Sequence, residues 1–289
     1  MPDPLTPPII TIDIEDWPQS TWDRALPIRQ RAADNTYRLL ALLDEEGIHT
    51  TMFVLGKFAE RFPEVVRAIA AQGHEVASHG YGHIEIFDQT PARFAEDVRR
   101  SKGMLEDLLG EPVRGYRAPD FSIVEGSLWA LEILADLGFV YDSSIFPVRR
   151  PRYGIPAWPT APVRVQLDAQ KTIVEFPIAT VAYRGKNWPV GGGGYHRLLP
   201  GPVSRRLARR VLAERPFVFY CHPYEFDPTE FRDMAHRIPW RLRLHQGLGR
   251  QGFERRFRAF VRVFGGRRMV DALGTESYTS FVLSTFDGA

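Results

Sequence analysis

Hydrophobic residues along the chain form short continuous runs that alternate with longer segments of helical spacing. The short runs are rich in β-branched and aromatic residues, which is typical of buried strands. They predict strands at residues 9–14, 50–55, 74–78, 113–116, 138–142, 172–176 and 217–221. Apolar residues three and four apart, with Pro near several starts and Gly after several ends, predict the helices. These helices cover residues 35–46, 62–71, 91–109, 127–137, 203–214 and 253–264.

Strands that alternate with helices in this way indicate parallel βα units, and therefore an α/β barrel or a doubly wound sheet. In either architecture the residues at the carboxyl ends of the strands form the active site. The polar residues directly at predicted strand ends are therefore the candidate site residues. They are Asp13, His79, Arg117, Asp142 and His222.

Regular alternation is lost between residues 147 and 202, where Pro, Gly and Trp are frequent. We expect ordered loops with short strands, folded over one mouth of the domain. No linker separates two halves of the sequence, so we expect one domain over residues 1–289. Its core covers about residues 9–225, and a C-terminal extension covers about 226–289.

Composition narrows the class of protein. The chain has 289 residues and a formal net charge of +2, which implies neither disorder nor a nucleic-acid partner. Arginines cluster at residues 241–268; a solvated helix face is the simplest interpretation, and a nucleic acid, an anionic lipid or a glycan is the alternative. The single Cys221 excludes an intrachain disulfide and a cysteine-based zinc site. Neither a signal peptide nor a membrane-spanning run is evident, so we expect a soluble, cytoplasmic protein.

Two histidines and an acidic cluster supply candidate metal chemistry. His79 and His83 are four residues apart, and one carboxylate from Asp13, Glu15 or Asp16 would complete a three-residue ligand set. Such a set leaves positions open on the cation for water and substrate, which suits hydrolysis of an amide or ester. A second carboxylate would take the proton from water, and an acid would protonate the leaving amine.

Five short motifs in order resemble those of the polysaccharide deacetylases, the NodB-homology group or carbohydrate esterase family 4. They are residues 11–17 (TIDIEDW), 79–83 (HGYGH), 117–121 (RAPDF), 141–144 (YDSS) and 220–222 (YCH). The resemblance implies a distorted (β/α) barrel of seven or eight parallel strands, with a loop-rich insertion and a C-terminal helical extension. It also implies removal of N-acetyl groups from amino sugars, with a divalent metal, most often Zn²⁺ and otherwise Co²⁺ or another transition metal.

The resemblance further assigns roles to individual residues. His79 and His83 would be metal ligands. His222 would be the general acid, and Asp142 would lie near it on the same side of the site. Arg117 would hold the general base through a bidentate contact. The backbone N–H of Phe121 would help to stabilise the oxyanion.

The first motif departs from the family's adjacent pair of aspartates, so its roles stay open. Asp13 is the base and Glu15 the ligand if the motif behaves as D-x-D. Asp16 is the ligand and Glu15 the base if residues 15–18 replace D-D-G-P. We favour a mixture, in which Asp13 is the base and Asp16 reaches the metal from a turn.

Residues 192–198, 222–228 and 245–250 are similar to those of deacetylases from exopolysaccharide biosynthesis loci, which carry a C-terminal extension. The implied partner is an N-acetylated glycan or its lipid-linked precursor, and Arg241, Arg243 and Arg250 could contact a diphosphate. Two other classes remain open at this point. One is a metal amidase for a small amide or cyclic imide, as in allantoinases, and the other is an inactive glycan-binding module.

Overall fold

The computed structural model of the chain describes residues 5–232, 234 and 237–283. Its strands are β1 (Ile9–Ile14), β2 (Thr51–Val54), β3 (Glu75–Ser78), β4 (Gly115–Tyr116), β5 (Tyr141–Asp142), β6 (Val163–Gln166), β7 (Thr172–Glu175), β8 (Thr180–Tyr183), β9 (Lys186–Pro189), β10 (Val218–Cys221) and β11 (Thr279–Val282). Its α-helices are α1 (Gln30–Glu45), α2 (Gly56–Arg61), α3 (Pro63–Ala71), α4 (Pro91–Leu109), α5 (Trp129–Asp136), α6 (Gly193–His196), α7 (Gly201–Leu212), α8 (Trp240–Gly247), α9 (Phe253–Phe264) and α10 (Met269–Thr275).

The main sheet confirms the expected α/β fold. Its order is β10-β1-β2-β3-β4-β5-β7-β6-β11, and the first seven of these strands run parallel to one another. β6 is antiparallel to β7, and β11 lies parallel to β6 at the edge. Among the described residues, the two end strands β10 and β11 do not pair, so the hydrogen bonds of the barrel-like sheet do not close it.

Side chains of the central strands alternate between two apolar layers. In β1, Ile10, Ile12 and Ile14 pack into the large core shared with the surrounding helices. Ile9 belongs instead to an inner cluster that includes Phe53 of β2. Successive strand residues point to opposite faces, so Thr11 and Asp13 share the inner face with Ile9. The carboxyl ends of β1, β3, β4 and β10 thus present their inner side chains at one edge.

Several predicted boundaries differ from the structure for local reasons. The helix expected at residues 62–71 is α3, which begins one residue later because Phe62 is not helical (φ −131°, ψ 59°). A separate helix that was not predicted, α2, precedes it. The strands expected at 113–116 and 138–142 shorten to the two-residue β4 and β5. The irregular region contains a hairpin, in which β8 pairs antiparallel with β9.

The C-terminal extension contains a strand as well as helices, whereas the resemblance implied a helical extension. Its β11 joins the main sheet through β6. The Ile10 N–H donates to the Arg267 carbonyl at 3.1 Å, and the Met269 N–H donates to Thr51 Oγ1 at 2.7 Å. The extension is therefore bonded to the start of β1 and β2. In the part of the chain that is described, no helix is long and apolar enough to cross a membrane.

Candidate active site

A cleft of about 730 Å³ lies at the carboxyl edge of the parallel strands. Six of the candidate residues line it together: Asp13, Glu15, His79, His83, Phe121 and His222. They follow or end β1, β3, β4 and β10, which are distant in sequence and close together in the sheet. The parallel arrangement brings them to one place, because parallel strands end at the same edge.

Glu15, His79 and His83 form a buried group whose geometry fits one metal ion. Their ligand atoms lie within 4.8 Å of one another. Glu15 Oε2 is 2.8 Å from His83 Nε2 and 3.6 Å from His79 Nε2. Ligand atoms about 2 Å from a tetrahedral zinc are separated by about 3.3 Å, and these distances bracket that value. Glu15 Oε2 and His83 Nδ1 are also buried without a hydrogen-bond partner among the described residues.

The loop after β3 aims the two imidazoles. His79 Nδ1 contacts the Arg117 carbonyl at 2.8 Å, which places the ring proton on Nδ1 and leaves Nε2 free as a ligand. Gly80 and His83 have positive φ values of 72° and 59°. The Asp97 carboxylate stabilises this turn, since it accepts the N–H of Tyr81 at 2.8 Å. The two histidines therefore converge through a tight loop rather than along a helix.

Electrostatics within this group favour a charged carboxylate. Burial opposes ionisation of Glu15, yet the neighbouring His83 and His79 outweigh it and hold the Glu15 pKa well below its usual value. Burial likewise opposes a charged His83, whereas the Glu15 carboxylate raises the His83 pKa. Glu15 Oε1 accepts the hydroxyls of Ser20 at 3.1 Å and Tyr224 at 3.2 Å, so Oε2 is the oxygen left to a cation. A carboxylate oxygen beside two imidazoles is a donor set that suits a divalent transition metal.

Asp13 is held by the fully buried Arg117. Arg117 Nη1 donates to Asp13 Oδ1 at 2.7 Å and to Thr11 Oγ1 at 2.7 Å. The other side of the guanidinium donates to Ser143, with Nε at 3.0 Å from its carbonyl and Nη2 at 2.9 Å from its hydroxyl. The guanidinium also lies over the Phe53 ring at 4.1 Å. The contact to Asp13 uses one nitrogen, not the expected two, and the remaining donors fix the arginine to the neighbouring strand.

His222 lies opposite Asp13 and is oriented by Glu225. Its Nδ1 is 3.2 Å from Glu225 Oε2, and its ring stacks on Tyr224 with centroids 4.6 Å apart. Its Nε2 points toward the acids, 3.5 Å from Glu15 Oε1 and 3.9 Å from Asp13 Oδ2. Burial opposes protonation, yet the Glu225 hydrogen bond and the nearby carboxylates raise the His222 pKa to about 9. The ring is therefore a proton donor at neutral pH.

Asp142 lies outside the cleft, contrary to the expected position near His222. It is fully buried, and its Oδ1 accepts the Ser144 hydroxyl at 2.5 Å. Burial raises the pKa of Asp142, and burial together with the Asp142 charge raises the pKa of Glu175 well above its usual value. The two acids share a proton beneath the site, because two adjacent buried carboxylates cannot both ionise. Ser144 links them to the site, since its hydroxyl accepts the Ala118 N–H at 2.7 Å.

Asp16 is not part of the group formed by Glu15, His79 and His83, which disagrees with our favoured assignment. Its carboxylate accepts Arg29 Nε at 2.9 Å and Arg29 Nη2 at 2.6 Å, and it also accepts the Arg29 N–H at 2.8 Å. Arg29 in turn pairs with Glu230 of the extension. Asp16 therefore joins β1 to α1 and the extension, and Glu15 occupies the position next to the histidines.

Phe121 and Arg250 have structural contacts in place of their expected roles. The Phe121 N–H donates to the Ala118 carbonyl at 3.2 Å, so it is engaged within its own turn. Its ring packs on Tyr220, with centroids 4.7 Å apart. Arg250 is buried, and Nη1 donates to the Tyr224 carbonyl at 2.9 Å, which removes it from contact with a diphosphate.

Sequence reasoning missed Glu225, the buried neighbour of the histidine acid. The only signal was its position three residues after His222, where it also accepts the His222 N–H at 3.2 Å. Gly193 belongs to the same arrangement, because a Cβ there would lie 2.2 Å from Glu225 Oε2. A second missed feature is the rim of the cleft, where the buried Glu85 pairs with Arg24 and Arg152.

Comparisons with known proteins agree with this arrangement. Residues 8–141 match the family model described as Polysaccharide deacetylase, and residues 143–273 match a domain of unknown function, DUF3473. The chain is 31% identical over 98 residues to the peptidoglycan-N-acetylglucosamine deacetylase of Bacillus cereus, a match that covers 34% of this chain and 36% of that protein. The chain therefore spans little more than a third of that curated relative.

Solved structures share the fold. A candidate polysaccharide deacetylase from Mycobacterium smegmatis superposes with a TM-score of 0.60 at 20% identity, covering 96% of this chain and 97% of that one. The Puue allantoinase also gives a TM-score of 0.60, at 17% identity, covering 94% and 91%. The exopolysaccharide subgroup and the cytoplasmic location stay predictions. Residues 8–141, a little under half of the chain, are thus similar to the polysaccharide deacetylase family.

Proposed function

We propose that the protein is a metal-dependent hydrolase that removes N-acetyl groups from amino sugars of a glycan or its lipid-linked precursor. One observation carries the proposal: the buried Glu15, His79 and His83 group faces Asp13 and His222 across the same cleft. A ligand group, a base and an acid within one cleft are the parts that metal-assisted amide hydrolysis requires.

Glu15, His79 and His83 would hold the cation, with Zn²⁺ as the first choice and Co²⁺ as another candidate. When bound, the cation would polarise the amide carbonyl and lower the pKa of a water molecule. Asp13 accepts the proton of the attacking water, and Arg117 keeps Asp13 oriented through the 2.7 Å contact. His222 then donates its Nε2 proton to the departing amine as the C–N bond breaks, which gives acetate and the free amino sugar.

The cleft suits a sugar more than an apolar ligand. Besides the reacting groups, its lining includes the aromatic side chains of Trp22, Tyr153 and Tyr195, which can stack on sugar rings. The charged Arg24 and Arg152 stand at its rim. The relatives' names point in the same direction, since they include deacetylases of peptidoglycan and of chitooligosaccharides.

The test is acetate release from N-acetylglucosamine oligomers by protein loaded with Zn²⁺ or Co²⁺. We expect acetate release that stops after chelation and returns when metal is added. His79→Ala is the matched inactive control, because it removes a proposed ligand. Ring opening of a cyclic imide without acetate release would contradict the proposal and support the amidase alternative. Metal-loaded protein that is inactive on all N-acetylated glycans would support the glycan-binding alternative.

A further inference from the structure

The helix α8 presents large apolar side chains to solvent. Trp240, Leu244 and Leu248 are 62%, 61% and 54% exposed. They are spaced four residues apart, so Trp240 and Leu244 lie on one side of the helix, and Leu248 follows at its C-terminal end. No residue of α8 is buried. We call these three residues the α8 face. An exposed run of this kind on a folded protein marks a contact surface.

An arginine-lined groove adjoins the α8 face. It has a volume of about 630 Å³, and Leu244 and Leu248 form part of its wall. Arg243, Arg255 and Arg256 line it, and among the residues that the structure describes no acidic side chain does. Arg243 Nε is buried without a hydrogen-bond partner among the described residues. Within the same part of the chain, no carboxylate forms a salt bridge with Arg243 or Arg255.

Other arginines of the same region are neutralised. On α9, Arg258 pairs with Glu46 at 2.8 Å and with Glu45 at 2.9 Å, and Arg262 pairs with Glu46 at 2.7 Å. Arg243 and Arg255 of the groove differ from these two α9 arginines, because no carboxylate of the described residues offsets their charge.

The α8 face is also next to the catalytic cleft. His245 and Gln246, on the same helix, line the cleft. Arg197 Nη1 donates to the Gln246 carbonyl at 2.5 Å, and the adjacent Leu198 is 54% exposed at the cleft. One short helix thus separates the cleft from the groove.

We propose that the α8 face and the arginine groove dock on the surface of a bilayer that contains anionic phospholipids. Apolar side chains would enter the boundary between headgroups and acyl chains, and the arginines would bind lipid phosphates. Charge complementarity favours an anionic bilayer, because a protein partner or a second copy of the chain would need a matching acidic surface around an apolar centre. The proposal does not rest on the deacetylase function. If that function also holds, docking places the cleft mouth where a lipid-linked glycan is presented.

The test is sedimentation of the full chain with vesicles of phosphatidylcholine alone or mixed with phosphatidylglycerol, without any glycan. We expect binding only to the anionic vesicles, weakened by salt. Arg243→Gln with Arg255→Gln should weaken binding about 30-fold, the factor for two arginines at a charged surface. Leu244→Ser with Leu248→Ser should weaken it about 10-fold or more, because less apolar surface is buried.

Matched controls separate docking from general charge and general hydrophobicity. Arg258→Gln with Arg262→Gln removes the same charge from paired sites and should leave vesicle binding within about twofold of the parent protein. Trp188→Ala removes a 52% exposed tryptophan on the β8–β9 hairpin and should have no effect, whereas Trp240→Ala should weaken binding. Circular dichroism should show every variant folded. Equal binding to both vesicle types, or equal loss in the paired-arginine control, would overturn the proposal. So would binding to a phosphate-free anionic glycan in place of vesicles.

Discussion

Glu15 and Asp16 are adjacent carboxylates whose different partners decide which of them can hold a cation. Residues 9, 11, 13 and 15 share one face of β1 by the two-residue period of a strand, and that face points to the cleft. Asp16 lies on the opposite face, and both of its carboxylate oxygens accept hydrogen bonds from Arg29. A carboxylate already bound by a guanidinium is a poor metal ligand, since coordination would leave that guanidinium charge unpaired.

We expect Glu15→Gln to abolish binding of Zn²⁺ and Asp16→Asn to retain it. The neutral amide of the first variant loses the anionic ligand, whereas the second only weakens the contact to Arg29. The measurement is metal content after dialysis, together with calorimetric titration. Asp16→Asn should instead lower the free energy of unfolding. Metal lost from Asp16→Asn but kept by Glu15→Gln would reverse the assignment.

We infer that Glu225 orients His222. Substitutions can distinguish this role of Glu225 from the role expected for Asp142. We expect Glu225→Gln to lower kcat about 10- to 100-fold with little change in KM or metal content, because the His222 ring loses the anionic acceptor that orients it and raises its pKa. Asp142→Asn should lower kcat less, since Asp142 lies outside the cleft. The measurement is steady-state kinetics on an N-acetylated oligomer. A larger kcat effect in Asp142→Asn, with unchanged stability, would show that Asp142 is the partner instead.

At the scale of the element, the glycines at residues 191–194, at the start of α6, allow this segment to pack closely against β10 and against Glu225. A Cβ on Gly191 would lie 2.3 Å from the Val218 carbonyl, and a Cβ on Gly193 would lie 2.2 Å from Glu225 Oε2. Both distances are too short for any side chain, so Gly191 and Gly193 are required by their neighbours. The adjacent Gly194 has no neighbour within 4 Å of such a Cβ.

This contrast supplies a matched pair of variants. Gly193→Ala should displace the Glu225 carboxylate from His222 and lower kcat about 10-fold or more. Gly194→Ala should leave the free energy of unfolding nearly unchanged and lower kcat less than Gly193→Ala, because its methyl group enters the open cleft without meeting Glu225. The measurement is kcat beside thermal unfolding for both proteins. Equal activity in the two variants would contradict a close packing requirement at Gly193.

At the scale of the whole molecule, buried neutral histidines couple stability to pH. His196 packs among Phe219, Phe253 and Phe260, and its Nδ1 contacts Ser204 Oγ at 2.8 Å. Burial lowers the His196 pKa to about 4 from an ordinary 6.5. Between these values the unfolded chain binds the proton and the folded chain does not. Stability is therefore kept above pH 6.5 and lost as the pH falls toward 4.

We expect the free energy of unfolding to fall between pH 6.5 and pH 4, with up to about 3 kcal/mol of the loss due to His196. Urea unfolding at several pH values measures it. His196→Phe keeps a ring in the aromatic cluster without a titrating group, so its stability should depend less on pH in this window. His245→Gln, which changes an exposed histidine, is the control. An unchanged pH slope in His196→Phe would exclude His196 as the cause.

The sequence by itself determined the class of fold and most of the site. Apolar runs and helical spacing depend on local propensity and burial, so they predicted the alternating βα order and placed Asp13, His79 and Arg117 at strand ends. The spacing of His79 and His83, with an acid ahead of them, predicted a metal site and the chemistry that goes with it. The two-residue strand period allowed Glu15 as the ligand but did not exclude Asp16.

Only the tertiary structure decided which acids meet which partners. Packing of separate elements brings Arg29 beside Asp16 and Glu175 beside Asp142, and no short-range pattern records those contacts. Glu225 lies in the same turn as His222, but only the folded loop directs its carboxylate to the ring. The join of β11 to β6 and the exposure of the α8 face are likewise long-range results. The physical reason is that pairing of buried charges depends on three-dimensional distance and desolvation, whereas sequence patterns report local geometry.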